Sequence, residues 1–187
     1  MIIFTTSRLT VRRARKSEID IDALFRMWNS PDVMRNVGFP EGLAISRDEI
    51  AQKLEKEPAS FENAILLVER SDGNLIGQCK IGKPDKSGIS DFDVKLLSEY
   101  WGLGYGMEIL QGLISHTFTH TAAKFVRGTP NRENTASIRM QERCGLKLSG
   151  EGVYEFPAGM RQRTQPVHYL TYLMSRKEWE TIQSGKI

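Results

Sequence analysis

The chain has 187 residues, of which 40% are hydrophobic and 26% charged, a composition that suits a single folded domain, here taken as residues 1–187, and excludes disordered and fibrous classes. The formal net charge of +3 is spread along the sequence and is too mild to argue for a nucleic-acid partner. Two cysteines, Cys79 and Cys144, are too few for a disulfide scaffold. With no apolar run of membrane-spanning length and no charged, apolar leader in view, the expectation is a cytoplasmic protein with buried free thiols and no membrane partner.

Taken in order, Leu9, Val11 and Arg13 alternate with Thr10 and Arg12 and predict a first strand. Ser17 opens a helix that runs through Ala23, Leu24, Met27 and Trp28 and ends before Pro31. Residues 31–43 hold two prolines and two glycines and are expected to be loop. Ser46 with Glu49 three residues on is a capping box, starting a helix that stops at Pro58. Three strands follow, over 63–70, 75–83 and 89–97, with Asp72-Gly73 as a hairpin turn between the first two. A helix is then predicted from the spacing of Met107, Leu110, Leu113, Ile114, Thr117 and Phe118. Beyond it come a strand over 124–129, a helix capped by Asn134 and closed by Gly145, a strand over 147–156, and a last strand over 167–174 with a helical turn or two after it. This order implies a mixed α/β fold: a mostly antiparallel sheet with helices on both faces.

The stretch Ser98-Glu99-Tyr100-Trp101-Gly102-Leu103-Gly104-Tyr105-Gly106-Met107 organises the rest, because it carries a strand through a glycine-rich turn straight into a helix. Glycines let backbone approach a ligand closely, and the first helical turn offers unpaired N–H groups at the positive end of the macrodipole. Such a turn is a seat for an anion, most often a phosphate. Two common phosphate loops fail here. A dinucleotide fingerprint needs a third glycine where Met107 stands, and Gly77 to Lys83 resembles a P-loop only until Pro84 replaces the hydroxyl that would hold magnesium.

Tyr100-Trp101-Gly102-Leu103-Gly104-Tyr105-Gly106 resembles the acetyl-CoA pyrophosphate loop of the GNAT (GCN5-related N-acetyltransferase) superfamily, and in particular its ribosomal-protein and spermidine acetyltransferase branch. Three further blocks are similar in the same order: Thr6 to Arg12, Trp28 to Met34, and Asn131 to Leu146 with its Asn-x-x-Ser opening and Cys-Gly-hydrophobic close. The resemblance implies a splayed sheet whose gap admits the pantetheine arm, acetyl-CoA as co-substrate, no metal, a primary-amine acceptor (a small molecule or a protein N-terminus), and direct transfer in a ternary complex. A homodimer would be common in the family.

By the same resemblance, Val94, Lys95 and Leu96 would pair with pantetheine through main chain, and Trp101, Gly102, Leu103, Gly104, Tyr105, Gly106 and Met107 would wrap the pyrophosphate. Asn134 and Ser137 match the family's Asn-x-x-Ser, although a helix cap explains them equally. Leu103 stands where Lys or Arg is usual. Gln141 stands where a tyrosine often serves as general acid, and Gln cannot donate a proton to a leaving thiolate, so Ser137 or a water would take that role. Asp91 is the candidate general base, with Asp93 on the same strand face. His116 and His120 lie four apart on one helix, a spacing that a metal pair or simple packing would satisfy. His168, Tyr154, Trp28 and Phe39 are candidate walls of an acceptor pocket. Two rival readings stay open: a non-catalytic acyl-CoA-binding module on the same fold, and a nucleotide-binding protein that uses the glycine loop.

Overall fold

The computed structural model describes residues 1–185. One eight-stranded sheet forms the centre: β1 (Ile2–Thr5), β2 (Leu9–Arg13), β3 (Leu66–Arg70), β4 (Leu75–Ile81), β5 (Ile89–Leu96), β6 (Phe125–Gly128), β7 (Lys147–Tyr154) and β8 (Val167–Ser175), in spatial order β1-β2-β3-β4-β5-β6-β8-β7. Every neighbouring pair is antiparallel except β5 and β6, which run parallel.

Six helices cover the sheet: α1 (Glu18–Trp28), α2 (Pro31–Met34), α3 (Arg47–Glu55), α4 (Tyr105–His120), α5 (Thr135–Arg143) and α6 (Arg176–Gln183). Strand alternation divides their cores. On β3, Leu66 and Val68 join Tyr105, Ile109 and Leu113 of α4, while Leu67 points the other way into Leu24, Met27, Ile50 and Leu54 of α1 and α3. On β4, Cys79 packs toward α4, and its neighbour Gln78 accepts a hydrogen bond from the Trp28 indole at 2.6 Å on the α1 side. A third core, built on Leu110, Ile114 and Phe118 of α4 with Val126, Leu146, Tyr172 and Met174, fixes the far half of the sheet. Each such side chain contributes roughly 1.5–3 kcal/mol on full burial.

Several elements differ from the sequence expectation. β1 pairs with β2 and was not anticipated, because four residues are too short for alternation to register. Residues 31–43 are not all loop. Pro31 sits at the first position of α2, where a missing N–H costs nothing, and a one-turn 3-10 helix, Arg35–Val37, follows. The helix capped by Ser46 has the expected capping box and ends at Glu55, and the C-terminal turns are a full two-turn helix, α6, with a capping box of its own from Ser175 and Glu178. Among the described residues, no helix is long and apolar enough to cross a membrane.

Candidate active site

The sheet opens at one place. β5 pairs with β6 only over Ile89–Asp91, opposite Phe125–Arg127, yet continues to Leu96 in register with β4. Asp91 and Leu97 turn their main-chain groups to the β4 side, since the Asp91 carbonyl accepts from Gly82 N at 2.6 Å and Leu97 N donates to the Ile76 carbonyl at 3.0 Å. Alternation therefore turns the main-chain groups of Phe92, Val94 and Leu96 to the opposite edge, which β6 has left. The indole of Trp101 donates to the Leu96 carbonyl at 2.9 Å and folds the glycine loop back over that edge.

At the end of the loop Gly104, at φ +81°, is the N-cap of α4 and supplies no side chain to it, so the first-turn N–H groups of Tyr105, Gly106 and Met107 lack a side-chain cap. Gly102, at φ +73°, makes the other left-handed turn. Gly106 lets α5 come close: a Cβ there would stand 3.0 Å from Met140 Sδ. The loop is also tied from behind. Arg8 Nη1 donates to the Leu103 carbonyl at 3.1 Å, and Glu108 Oε2 accepts from Arg8 Nε at 2.7 Å.

The open strand edge, the loop and α5 enclose a cavity of about 520 Å3. Val94, Lys95 and Leu96 line it from β5. Trp101, Gly102, Gly104, Tyr105, Gly106 and Met107 line it from the loop and α4, and Asn134 and Ser137 from α5. Asn134 also caps its helix, accepting from Ser137 N at 3.1 Å. Two of the sequence candidates lie elsewhere. Leu103 turns out to solvent, 54% exposed. Asp91 sits on the last rung of the β5–β6 ladder, just before the strands part, and Arg127 holds both its oxygens there, at 2.6 and 2.9 Å. A carboxylate with both oxygens committed to a guanidinium on the neighbouring strand, outside the cavity lining, is not in position to take a proton from an amine there. Asp93 is likewise engaged, by Lys95.

Sequence reasoning missed the remaining walls. Val33, Asn36 and Val37 come from the segment expected to be loop, and Arg139, Met140 and Arg143 from α5. Arg139 and Arg143 are four apart on a helix, a spacing that could have flagged one cationic face, and among the described residues neither is in an ion pair. Neither cysteine lines the cavity; burial pushes the Cys144 thiol up to about 11 and the Cys79 thiol higher still, so no poised thiol nucleophile stands here.

A second, polar cavity of about 500 Å3 adjoins through Asn36, which lines both. Its walls include Glu41, Glu133 and His168. Of the other candidate walls, Trp28 is buried against Gln78, and Phe39 and Tyr154 both pack on Phe156, with ring centroids 5.1 and 4.9 Å away; none of the three lines either cavity. His116 and His120 stack on each other at 4.0 Å among Phe4 and Phe61, and neither lines either cavity.

Comparison with known proteins agrees with this geometry. A curated relative, the uncharacterized N-acetyltransferase p20 of Bacillus licheniformis, is 25% identical over 148 residues, covering 78% of this chain and 82% of the relative. Spermidine N-acetyltransferase from Vibrio cholerae, solved with CoA and spermine, superposes with a TM-score of 0.77 at 18% identity, over 94% of this chain and 99% of that one. A ribosomal L7/L12 α-N-protein acetyltransferase solved with coenzyme A gives 0.75 at 15% identity, over 95% and 99%. The family model of the acetyltransferase (GNAT) domain matches residues 8–147, and with three quarters of its length so matched, this chain belongs to that family and is an acetyl-CoA-dependent N-acetyltransferase.

Proposed function

We propose that the protein moves the acetyl group of acetyl-CoA, bound along β5 and the glycine loop, to the primary amine of a small polycationic acceptor that enters through the polar cavity. The observation that carries this reading is that Asn36 lines both cavities: one has an open strand edge, an uncapped helix start and two arginines, the other has two carboxylates, none of the four in an ion pair among the described residues. The N–H groups of Tyr105, Gly106 and Met107 would receive the pyrophosphate. Arg139 and Arg143 supply the positive charge that Leu103 does not, moved from the loop to α5. Val94 offers a main-chain N–H to pantetheine or to the thioester oxygen as charge develops on it.

Both partners are bound together, because no thiol is placed to carry the acetyl group between them. An alkyl ammonium has a reference pKa near 10.4, so binding it neutral at pH 7 asks for roughly 4 kcal/mol. Among the described residues the cofactor cavity has no carboxylate in its wall, so the proton leaves through water in the polar cavity. Within that cavity Arg35 pairs with Asp32 and Arg132 with Glu151, whereas Glu41 and Glu133 have no ion-pair partner among the described residues. The uncompensated charge is negative and favours an acceptor with more than one positive centre. Amine acceptors are also what the names of the Vibrio enzyme and the ribosomal-protein enzyme specify.

The test is a thiol-release assay with acetyl-CoA and three acceptor classes: linear polyamines, aminoglycosides and peptides with a free N-terminus. Turnover confined to the polyvalent amines, with a raised acceptor KM in Glu41→Gln and Glu133→Gln, is expected. Turnover with peptide amines alone would move the acceptor to a protein N-terminus. A chain that binds acetyl-CoA by titration calorimetry but releases no thiol would be a binding module.

A further inference from the structure

One buried polar side chain beside the cavity is not part of its lining. Gln141 on α5 is only 2% exposed. Its amide nitrogen lies 3.4 Å from Ser137 Oγ, one helical turn earlier, and its amide oxygen has no hydrogen-bond partner among the described residues. Room for the amide exists because β6 carries Gly128 there; a Cβ on Gly128 would collide with the Gln141 amide oxygen and with the Phe92 ring. Phe92 belongs to β5, so the amide lies where the two strands begin to part.

The polarity of this contact has a consequence. An amide nitrogen only donates, whereas a serine hydroxyl has one hydrogen and two lone pairs. With Gln141 occupying a lone pair, the Ser137 hydrogen is left over, and among the described residues it goes to no acceptor. Ser137 lines the cofactor cavity, so that hydrogen is available to a group bound there.

We propose that Gln141 is a positioning residue that fixes the Ser137 hydroxyl as a donor to the departing sulfur of acetyl-CoA. The inference rests on the reading of this cavity as the acetyl-transfer site. In the step concerned the amine nitrogen bonds to the acetyl carbon and the C–S bond breaks. Sulfur takes the bonding electron pair and the Ser137 hydrogen, and the proton released by the nitrogen returns through water to Ser137, so protons and charge balance. Gln141 touches neither substrate nor cofactor; it acts through Ser137 alone.

The test exploits an isosteric reversal. In Gln141→Glu the ionised carboxylate can only accept, so it draws the Ser137 hydrogen to itself; when protonated it can donate and restores the native arrangement. Burial raises the pKa of such a carboxyl and brings the change into a measurable range. The kcat of Gln141→Glu relative to wild type, followed from pH 5 to 9, is expected to fall about tenfold or more as the carboxyl ionises, with KM for acetyl-CoA nearly unchanged. Gln141→Met keeps the volume without the donor and is expected to fold, to bind CoA normally and to lose kcat by about the same factor at all pH values. In a Ser137→Ala background neither change should matter further. A flat ratio for Gln141→Glu alongside an impaired Ser137→Ala would overturn the role of Gln141 and leave that of Ser137. Full activity in Ser137→Ala would overturn both, and absence of turnover in the wild type would remove the catalytic reading beneath them.

Discussion

His116 shows how a single side chain can set a stability limit far from any chemistry. It is 9% exposed between Phe4, Phe61 and His120, and its Nε2 has no partner among the described residues. Burial, and after it the neighbouring His120, holds its pKa down at about 4. An unfolded chain would protonate this ring near 6.5. The unfolded state therefore binds the proton first, and stability present above about pH 6.5 is lost as pH falls toward 4, by about 3 kcal/mol in all. Replacing the ring by one that cannot titrate should remove that loss. His116→Phe is expected to match wild type in urea unfolding at pH 7 and to exceed it by about 3 kcal/mol at pH 4. Equal acid losses in the two proteins would place the sensitivity in the carboxylates instead. The i, i+4 spacing of His116 and His120 and a packing use for it are both visible in the sequence; the partners are not, because Phe4 and Phe61 reach the site from more than 50 positions away in the chain.

The glycine loop, as an element, is held by a residue outside it. Glu108, in the first turn of α4, accepts hydrogen bonds from Thr6 Oγ1 at 2.5 Å, Ser7 Oγ at 3.2 Å and Arg8 N at 3.0 Å, besides its ion pair with Arg8. The Arg8 guanidinium lies over the Tyr105 ring at 4.4 Å and reaches the Leu103 carbonyl. The turn between β1 and β2 thus clamps the loop. Cutting this clamp should loosen the phosphate seat as well as the fold. Glu108→Ala, which removes a charged acceptor worth roughly 1.5–3 kcal/mol, is expected to lower Tm by about 5 °C and to weaken acetyl-CoA binding by about fivefold in titration calorimetry. A Tm loss with unchanged affinity would mean the glycines hold their shape alone. The strand–loop–helix order of this element was legible, since the hydrophobic period switches from two to nearly four across Gly102 and Gly104. Its clamp was not, because Thr6, Ser7 and Arg8 lie about a hundred residues upstream and carry no local signal. The wall built from Val33, Asn36 and Val37 was hidden for a different reason: prolines and glycines flank it, and they mark a loop unless a proline falls at a helix start, as Pro31 does.

At the scale of the molecule the decisive feature is the early parting of β5 from β6, and no single strand's sequence records it. The alternation along β5 predicts a strand; that β6 pairs with its first three residues and then leaves depends on where the two strands are anchored. The anchors are the Asp91–Arg127 pair on the last rung before the strands part and the third core beneath β6 and β8. As a result two parts of one sheet, β1–β5 and β6–β8, meet along a short parallel ladder. A ligand seated in the gap bridges both parts, and two effects of different kind follow. Acetyl-CoA at about a hundred times its Kd adds roughly 2.7 kcal/mol to global stability by mass action, seen as a Tm rise of about 5–10 °C. Any tightly bound ligand would do as much. The second effect is specific to the gap. The N–H groups of Val94 and Leu96 face an edge without a strand, so in the free protein they exchange with solvent by local fluctuation, whereas those of β3, paired on both sides, wait for larger openings. Pantetheine bonding along β5 should slow exchange at Val94 and Leu96, and at Tyr105 to Met107, by far more than the uniform factor seen at Leu66 to Arg70. Residue-resolved hydrogen exchange with and without acetyl-CoA separates the two effects. Protection that rises by the same factor everywhere would show a ligand that stabilises the fold without lying in the gap, and would move the cofactor's seat elsewhere.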